Sequence, residues 1–284
     1  MSATADTSAS PFVSTEWLAA NLGAPDLVVV DASWHMPNAG RDGRKEYLER
    51  HIPGAVHFDI DTIADHSTSL PHMLPDPHSF AVAMGALGIG DGLRVVVYDS
   101  LGLFSAPRVW WTFRAFGAQD VKILDGGLPK WLAEERPVED GPVRRLPAIF
   151  TARLDHSIVA DIERVDRALK TGGAQVLDAR QDARFRGEAP EPREGLPSGH
   201  MPGALNLPHG RLVKDGRLLP PEEILEAVEA SGLDLSRPVI TSCGSGVSAA
   251  ILWVALEMIG KEPLALYDGS WTEWGASGKE IAVG

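Results

Sequence analysis

The chain has 284 residues, 44% hydrophobic and 23% charged, with 26 basic against 39 acidic side chains and a formal net charge of −13. The length suggests two domains and the composition a folded globular protein; the acidic balance argues against nucleic acid or an anionic membrane as the main partner. The leading MSATADTSASP has neither a basic nor an apolar signal region, no stretch approaches roughly 18 consecutive apolar residues, and a single cysteine excludes an internal disulfide, so a reducing cytoplasm is the expected setting.

In chain order, amphipathic helical segments (STEWLAANL, 14–22; FAVAMGAL, 80–87; PPEEILEAVEAS, 220–231) alternate with short β-branched runs. The runs are VVVDA (28–32), RVVVYD (94–99) and VKIL (121–124), then QVLDA (175–179), PVITS (238–242) and PLALY (263–267). This alternation predicts α/β domains, each a parallel sheet with helices on both faces. A Pro-, Gly- and charge-rich stretch without periodicity, roughly 137–158, reads as the linker. The expected domains are 12–140 and 157–284.

The two halves are copies of one another. A constant offset of 143 aligns RVVVYDSLGLFSAPRVWWTFRAFG (94–117) with RPVITSCGSGVSAAILWVALEMIG (237–260), and LDGGLPKW (124–131) with YDGSWTEW (267–274). Upstream, HIPGAVHFD (51–59) matches HMPGALNLP (200–208). What both halves share serves the common fold, so His51 and His200, Trp110 and Trp253, and Trp131 and Trp274 read as structural. What only one half has is where function diverged. Cys243 stands opposite Ser100, which makes the second half the reactive one.

Cys243 lies between a strand and a helix, in the loop CGSGVS. Gly244 and Gly246 are expected to curl the backbone through positive φ, so that successive N–H groups face the sulfur. The following helix adds its positive end, and both effects favour a thiolate or persulfide anion. A cysteine phosphatase would need arginine six positions after the cysteine to clamp phosphate; that position is Ala249. No cofactor motif and no metal-ligand spacing appears, so none of either is expected.

Taken together, the tandem halves, CGSGVS, HIPGAVHFDID, HML (72–74), FSAPRVWWTFRAFG, LDGG, RFRG…EPREG and YDGSWTEW resemble the mercaptopyruvate sulfurtransferases of the rhodanese superfamily, over about residues 12–275. The resemblance implies a noncatalytic first domain, a catalytic second one and a site at their interface. It implies that Cys243 carries sulfur as a persulfide, and that Gly244, Gly246, Val247 and Ser248 form the cradle around the donor sulfur. It gives Arg184 and Arg193 as the pair binding the donor's carboxylate, and Ser245, His72 and Asp61 as a proton relay. Read from composition alone, the arginine segment could equally neutralise Glu188, Glu191 and Glu194. Superfamily members using thiosulfate typically carry Arg and Lys after the cysteine, where this chain has neutral Gly244 and Ser245. The donor expected from this is 3-mercaptopyruvate; the implied sulfur acceptors are a small thiol, thioredoxin or cyanide. A thiosulfate:cyanide sulfurtransferase and a noncatalytic persulfide carrier are the alternative readings.

Overall fold

The structure is a computed structural model that describes residues 10–284. The first half is a five-stranded parallel sheet of β1 (Phe12–Val13), β2 (Leu27–Asp31), β3 (Val56–His57), β4 (Arg94–Tyr98) and β5 (Val121–Leu124), in the order β1-β5-β4-β2-β3. Around it lie α1 (Thr15–Asn21), α2 (Gly43–Glu49), α3 (Pro77–Ala86), α4 (Ala106–Ala115) and α5 (Gly127–Ala133). The central strands are β-branched and buried on both faces, as a parallel sheet sandwiched by helices requires. Ser14, Asp42 and Asp76 start α1, α2 and α3 by accepting first-turn N–H groups.

The second half repeats the plan with β6 (Val159–Ala160), β7 (Gln175–Asp178), β8 (Leu205–Asn206), β11 (Val239–Ser242) and β12 (Ala265–Tyr267), ordered β6-β12-β11-β7-β8. Its helices are α6 (Ile162–Thr171), α7 (Asp182–Phe185), α8 (Pro221–Ala230), α9 (Ala249–Met258) and α10 (Ser270–Ala276). An antiparallel hairpin, β9 (Val213–Lys214) and β10 (Arg217–Leu218), is added before α8. The duplication extends to detail. His51 forms a bridge with Glu139 and His200 with Ala282, each ring Nδ1 lying within hydrogen-bond distance of a backbone carbonyl, of Tyr47 and Phe185 respectively. The four paired tryptophans are buried, as expected of core residues.

The halves pack through α4 and α9, the two helices that directly follow the Ser100 and Cys243 loops. Both are buried around most of their circumference, which is why neither shows the polar face of a surface helix. Trp111 and Trp253 meet across this contact at 6.2 Å, and Arg114 Nη1 binds Glu257 at 2.6 Å. One cluster of buried side chains runs through both halves. The connecting segment lacks regular structure but is tied down: Ala148 N–H donates to Gly85 O, Asp155 N–H donates to Ala115 O, and Phe150 packs edge-on against Phe80.

Phe80 is fully buried among Phe58, Phe113, Phe116 and Phe150. Phe80→Ala is therefore expected to cost about 3–5 kcal/mol, read as a lowered denaturant midpoint.

Candidate active site

β11 ends at Ser242 and α9 begins at Ala249, so the six residues between them form a loop with Cys243 at its base, 2% exposed. The loop is held from below by Ser270. Its Oγ donates to Tyr267 O at 2.7 Å and accepts the N–H groups of Cys243 at 3.2 Å and Gly246 at 3.1 Å. Ser270 takes φ 51°, a left-handed conformation unfavourable for a residue with a Cβ. Its counterpart at the offset of 143 is Gly127, with φ 52°. The second half thus tolerates strain the first half avoids, and the hydroxyl that supports the cysteine loop is what it gains.

The expectation for the two loop glycines is half corrected. Gly246 has φ 77°, but Gly244 is not in the positive-φ region. Its lack of a side chain serves another purpose: a Cβ there would lie 3.2 Å from Arg184 Nη2. The Gly246 N–H is also committed to Ser270. Among the described residues, no protein acceptor takes the N–H groups of Gly244, Val247, Ser248 or Ala249.

The corresponding loop of the first half shows what such groups attract. There Asp99, 1% exposed, accepts the N–H groups of Leu101 at 2.9 Å, Phe104 at 2.7 Å, Ser105 at 2.9 Å and Ala106 at 2.8 Å. Burial raises its carboxyl above the ordinary range, against the pull of these donors. The same four positions in the second half are Gly244, Val247, Ser248 and Ala249, and Asp99 is replaced by Ser242. The first loop is already filled by the chain's own anion; the second is open to one.

The first half contributes the opposite wall. His72 is 5% exposed at φ 61°, with Nδ1 2.9 Å from Asp61 Oδ1, in a contact whose angle falls short of a straight hydrogen bond. Trp34 Nε1 donates to Asp61 Oδ2 at 2.8 Å. Burial pulls His72 below its ordinary pKa, Asp61 opposes this, and the nearby Arg108 and Arg193 reinforce it. His72 in turn lowers Asp61. The ring is therefore neutral near pH 7. Its Nε2 faces Arg193 Nη2 at 3.2 Å rather than a hydroxyl, so it is the accepting nitrogen. Ser245, 5% exposed, lines the cavity beside Cys243, whereas His72 and Asp61 do not line it and reach it only through Trp34 and Arg193.

The two candidate arginines differ. Arg184 is bonded through Nε and Nη2 to the buried Glu191, whose other oxygen takes Arg180 Nη1 at 2.8 Å. Arg180 stacks on Trp271 at 4.1 Å and also binds Asp178. Arg184 is thus both neutralised and oriented. Arg193 pairs with no carboxylate among the described residues; burial lowers its pKa while Cys243 and Asp61 oppose that. Arg186 pairs with exposed Glu188. The resulting cavity, about 330 Å³, lies between the halves, with Trp34, Met36 and Phe104 on one side and Arg184, Arg193, Cys243, Ser245, Val247 and Ser248 on the other.

Sequence reasoning missed Ser270, Asp99 and the pair Arg108–Asp268. One signal was available: the mismatch of Gly127 with Ser270 within otherwise matching DGG and DGS motifs.

A parallel sheet of this order, a nucleophile loop opening onto a helix, and a second copy of the unit define a class, the rhodanese-like domains. The family model for the rhodanese-like domain matches residues 14–134 and 161–277. The chain belongs to the rhodanese family, and it is a tandem-domain sulfurtransferase. It is 45% identical to 3-mercaptopyruvate sulfurtransferase of Homo sapiens over 269 residues, covering 92% of this chain and 91% of that protein. It is also 45% identical to thiosulfate sulfurtransferase of Bos taurus over 270 residues, covering 92% and 91%. The crystal structure of SseA from Escherichia coli, a 3-mercaptopyruvate sulfotransferase, superposes with a TM-score of 0.86 at 41% identity, covering 92% of this chain and 99% of that one.

Two outcomes are expected. Ser270→Gly relieves the left-handed strain, of order 1–3 kcal/mol, as it removes the loop's support, so the melting temperature should hold while sulfur transfer falls. In a Cys243→Ser background, Ser100→Cys should gain no sulfur by intact mass after exposure to donor, because Asp99 already occupies that loop's N–H groups.

Proposed function

We propose that the protein moves sulfur from 3-mercaptopyruvate, through a persulfide on Cys243, to an acceptor thiol, and releases pyruvate. The observation that carries this is the charge of the site: none of the six residues of the Cys243 loop is cationic, and the positive charge of the cavity comes from Arg184 and Arg193, on a separate segment. Thiosulfate would bring two negative charges to the sulfur itself. 3-Mercaptopyruvate brings one, on a carboxylate remote from the sulfur. In the buried chain Asp178–Arg180–Glu191–Arg184 two carboxylates meet two guanidiniums, while Arg193 pairs with no carboxylate among the described residues and is left for that of the donor. Sequence identity alone does not separate the donors, since relatives named for each are equally similar.

In the first step the Cys243 thiolate attacks the donor sulfur. An S–S bond forms, the C–S bond breaks, and its electron pair passes to carbon as the enolate of pyruvate, which takes up a proton. Backbone N–H groups of the loop, including those of Gly244, Val247 and Ser248, hold the negative sulfur. Ser245, His72 and Asp61 form the proton relay. His72 Nε2 is engaged by Arg193 at rest. A donor carboxylate that draws Arg193 toward itself frees that nitrogen for Ser245, so donor binding completes the relay. In the second step an acceptor thiolate attacks the outer sulfur and returns Cys243 as a thiolate; a small thiol or thioredoxin fits this role. The domain limits 12–140 and 157–284 assign the nucleophile to the second unit and the relay's His72 and Asp61 to the first. The single free cysteine is suited to a reducing cytoplasm.

The test compares kcat/KM for 3-mercaptopyruvate and thiosulfate. A large excess for 3-mercaptopyruvate is expected; equal or reversed values overturn the donor. Cys243→Ser should abolish turnover, and the wild type alone should gain the mass of one sulfur.

A further inference from the structure

We propose that Arg108 is a positioning residue that fixes the first half's His72 against the second half's cysteine loop, with Asp268 as its anchor. This rests on the reading of the site given above.

Arg108 stands in the first turn of α4 and is 2% exposed. Its guanidinium reaches three places at once. Nη1 donates to Gly246 O at 3.2 Å, and Nη2 donates to His72 O at 2.7 Å and to Asp268 Oδ1 at 2.6 Å. Asp268 Oδ2 accepts the Leu74 N–H at 2.8 Å, so the segment carrying His72 is held at residue 72 by the cation and at residue 74 by its counter-ion. A planar fork with fixed N–H directions sets its acceptors relative to one another, which a flexible ammonium does not. Trp111 lies against the guanidinium at 4.9 Å.

The surroundings are cut to this side chain. A Cβ on Gly246 would lie 2.7 Å from Arg108 Nη1, so the glycine that curls the cysteine loop also admits a residue from the other half. His72 has φ 61°, a conformation that persists only where neighbours impose it, and the bond from Arg108 to its carbonyl is one such constraint. The repeat supplies a comparison. Asp125, the counterpart of Asp268, also reaches across the halves, to Arg217 at 2.7 Å. That pair is 54% and 23% exposed, against 3% and 4% for Arg108 and Asp268, and it braces no catalytic loop. Crossing the interface is common to both pairs; reaching the sulfur loop and His72 belongs to one.

R108M alone leaves Asp268 as a buried, unpaired carboxylate, a change that can unfold a domain. The decisive variant is therefore R108M/D268N, which removes both charges and keeps an acceptor for Leu74. It should retain a cooperative melt, Cys243 alkylation by iodoacetamide within about twofold of wild type, and a nearly unchanged KM for 3-mercaptopyruvate, while kcat falls about tenfold or more. R108K should recover part of kcat. A folded double variant with kcat within about threefold of wild type overturns the proposal, as does a parallel loss of kcat and alkylation, which marks collapse of the loop itself. Wild-type protein inert toward both donors would instead overturn the functional reading, and this proposal with it.

Discussion

In the function proposed above, a negative charge on sulfur at a site 2% exposed is held by groups that do not have to reorganise, the backbone N–H donors of the Cys243 loop. Everything near Cys243 follows from keeping that short loop in one shape. β11 and α9 fix its ends, Ser270 holds it from beneath at the cost of a left-handed backbone, and Gly246 and Gly244 leave room for guanidiniums of either half. The loop itself carries no cationic side chain; the guanidiniums that approach it come from other segments.

The two halves share the work unequally although they share a fold. Around the cavity the second half contributes the Cys243 loop and the arginine segment, and the first contributes the apolar wall of Trp34 and Phe104, with His72 and Asp61 in contact with Trp34. Arg108 and Asp268 join the two at the loop. Since α4 and α9 also meet in one continuous core, the relative placement of the halves is set by packing over a large area and refined by a few directional bonds.

The fold was legible because a duplicated pattern doubles every signal: strands rich in valine and isoleucine recur at a constant offset, and the single cysteine stands out against Ser100. The arginine segment was legible only as two alternatives. The structure pairs Arg184 with Glu191 and leaves Arg193 without a carboxylate partner among the described residues. His72 and Asp61 came from resemblance, because no local pattern reports that residues 61 and 72 will face a loop at 243. Ser270 and Arg108 escaped for a related reason. One acts through a backbone angle and the other through a contact 138 residues away, and neither leaves a periodic mark in the sequence. Gly244 was misjudged because glycine can be required by a neighbour's approach as well as by its own φ.

Asp99 gives this comparison a last turn. The first loop is complete in itself: the acceptor of its four donors is a side chain of the polypeptide. The second loop has a serine in that place, and the same four donors have no protein acceptor among the described residues. It is thus the less saturated of the two, and in the function proposed above a sulfur atom carried between molecules does for one half, transiently, what a side chain does permanently for the other. The proposed intermediate is in this sense a missing piece of the fold.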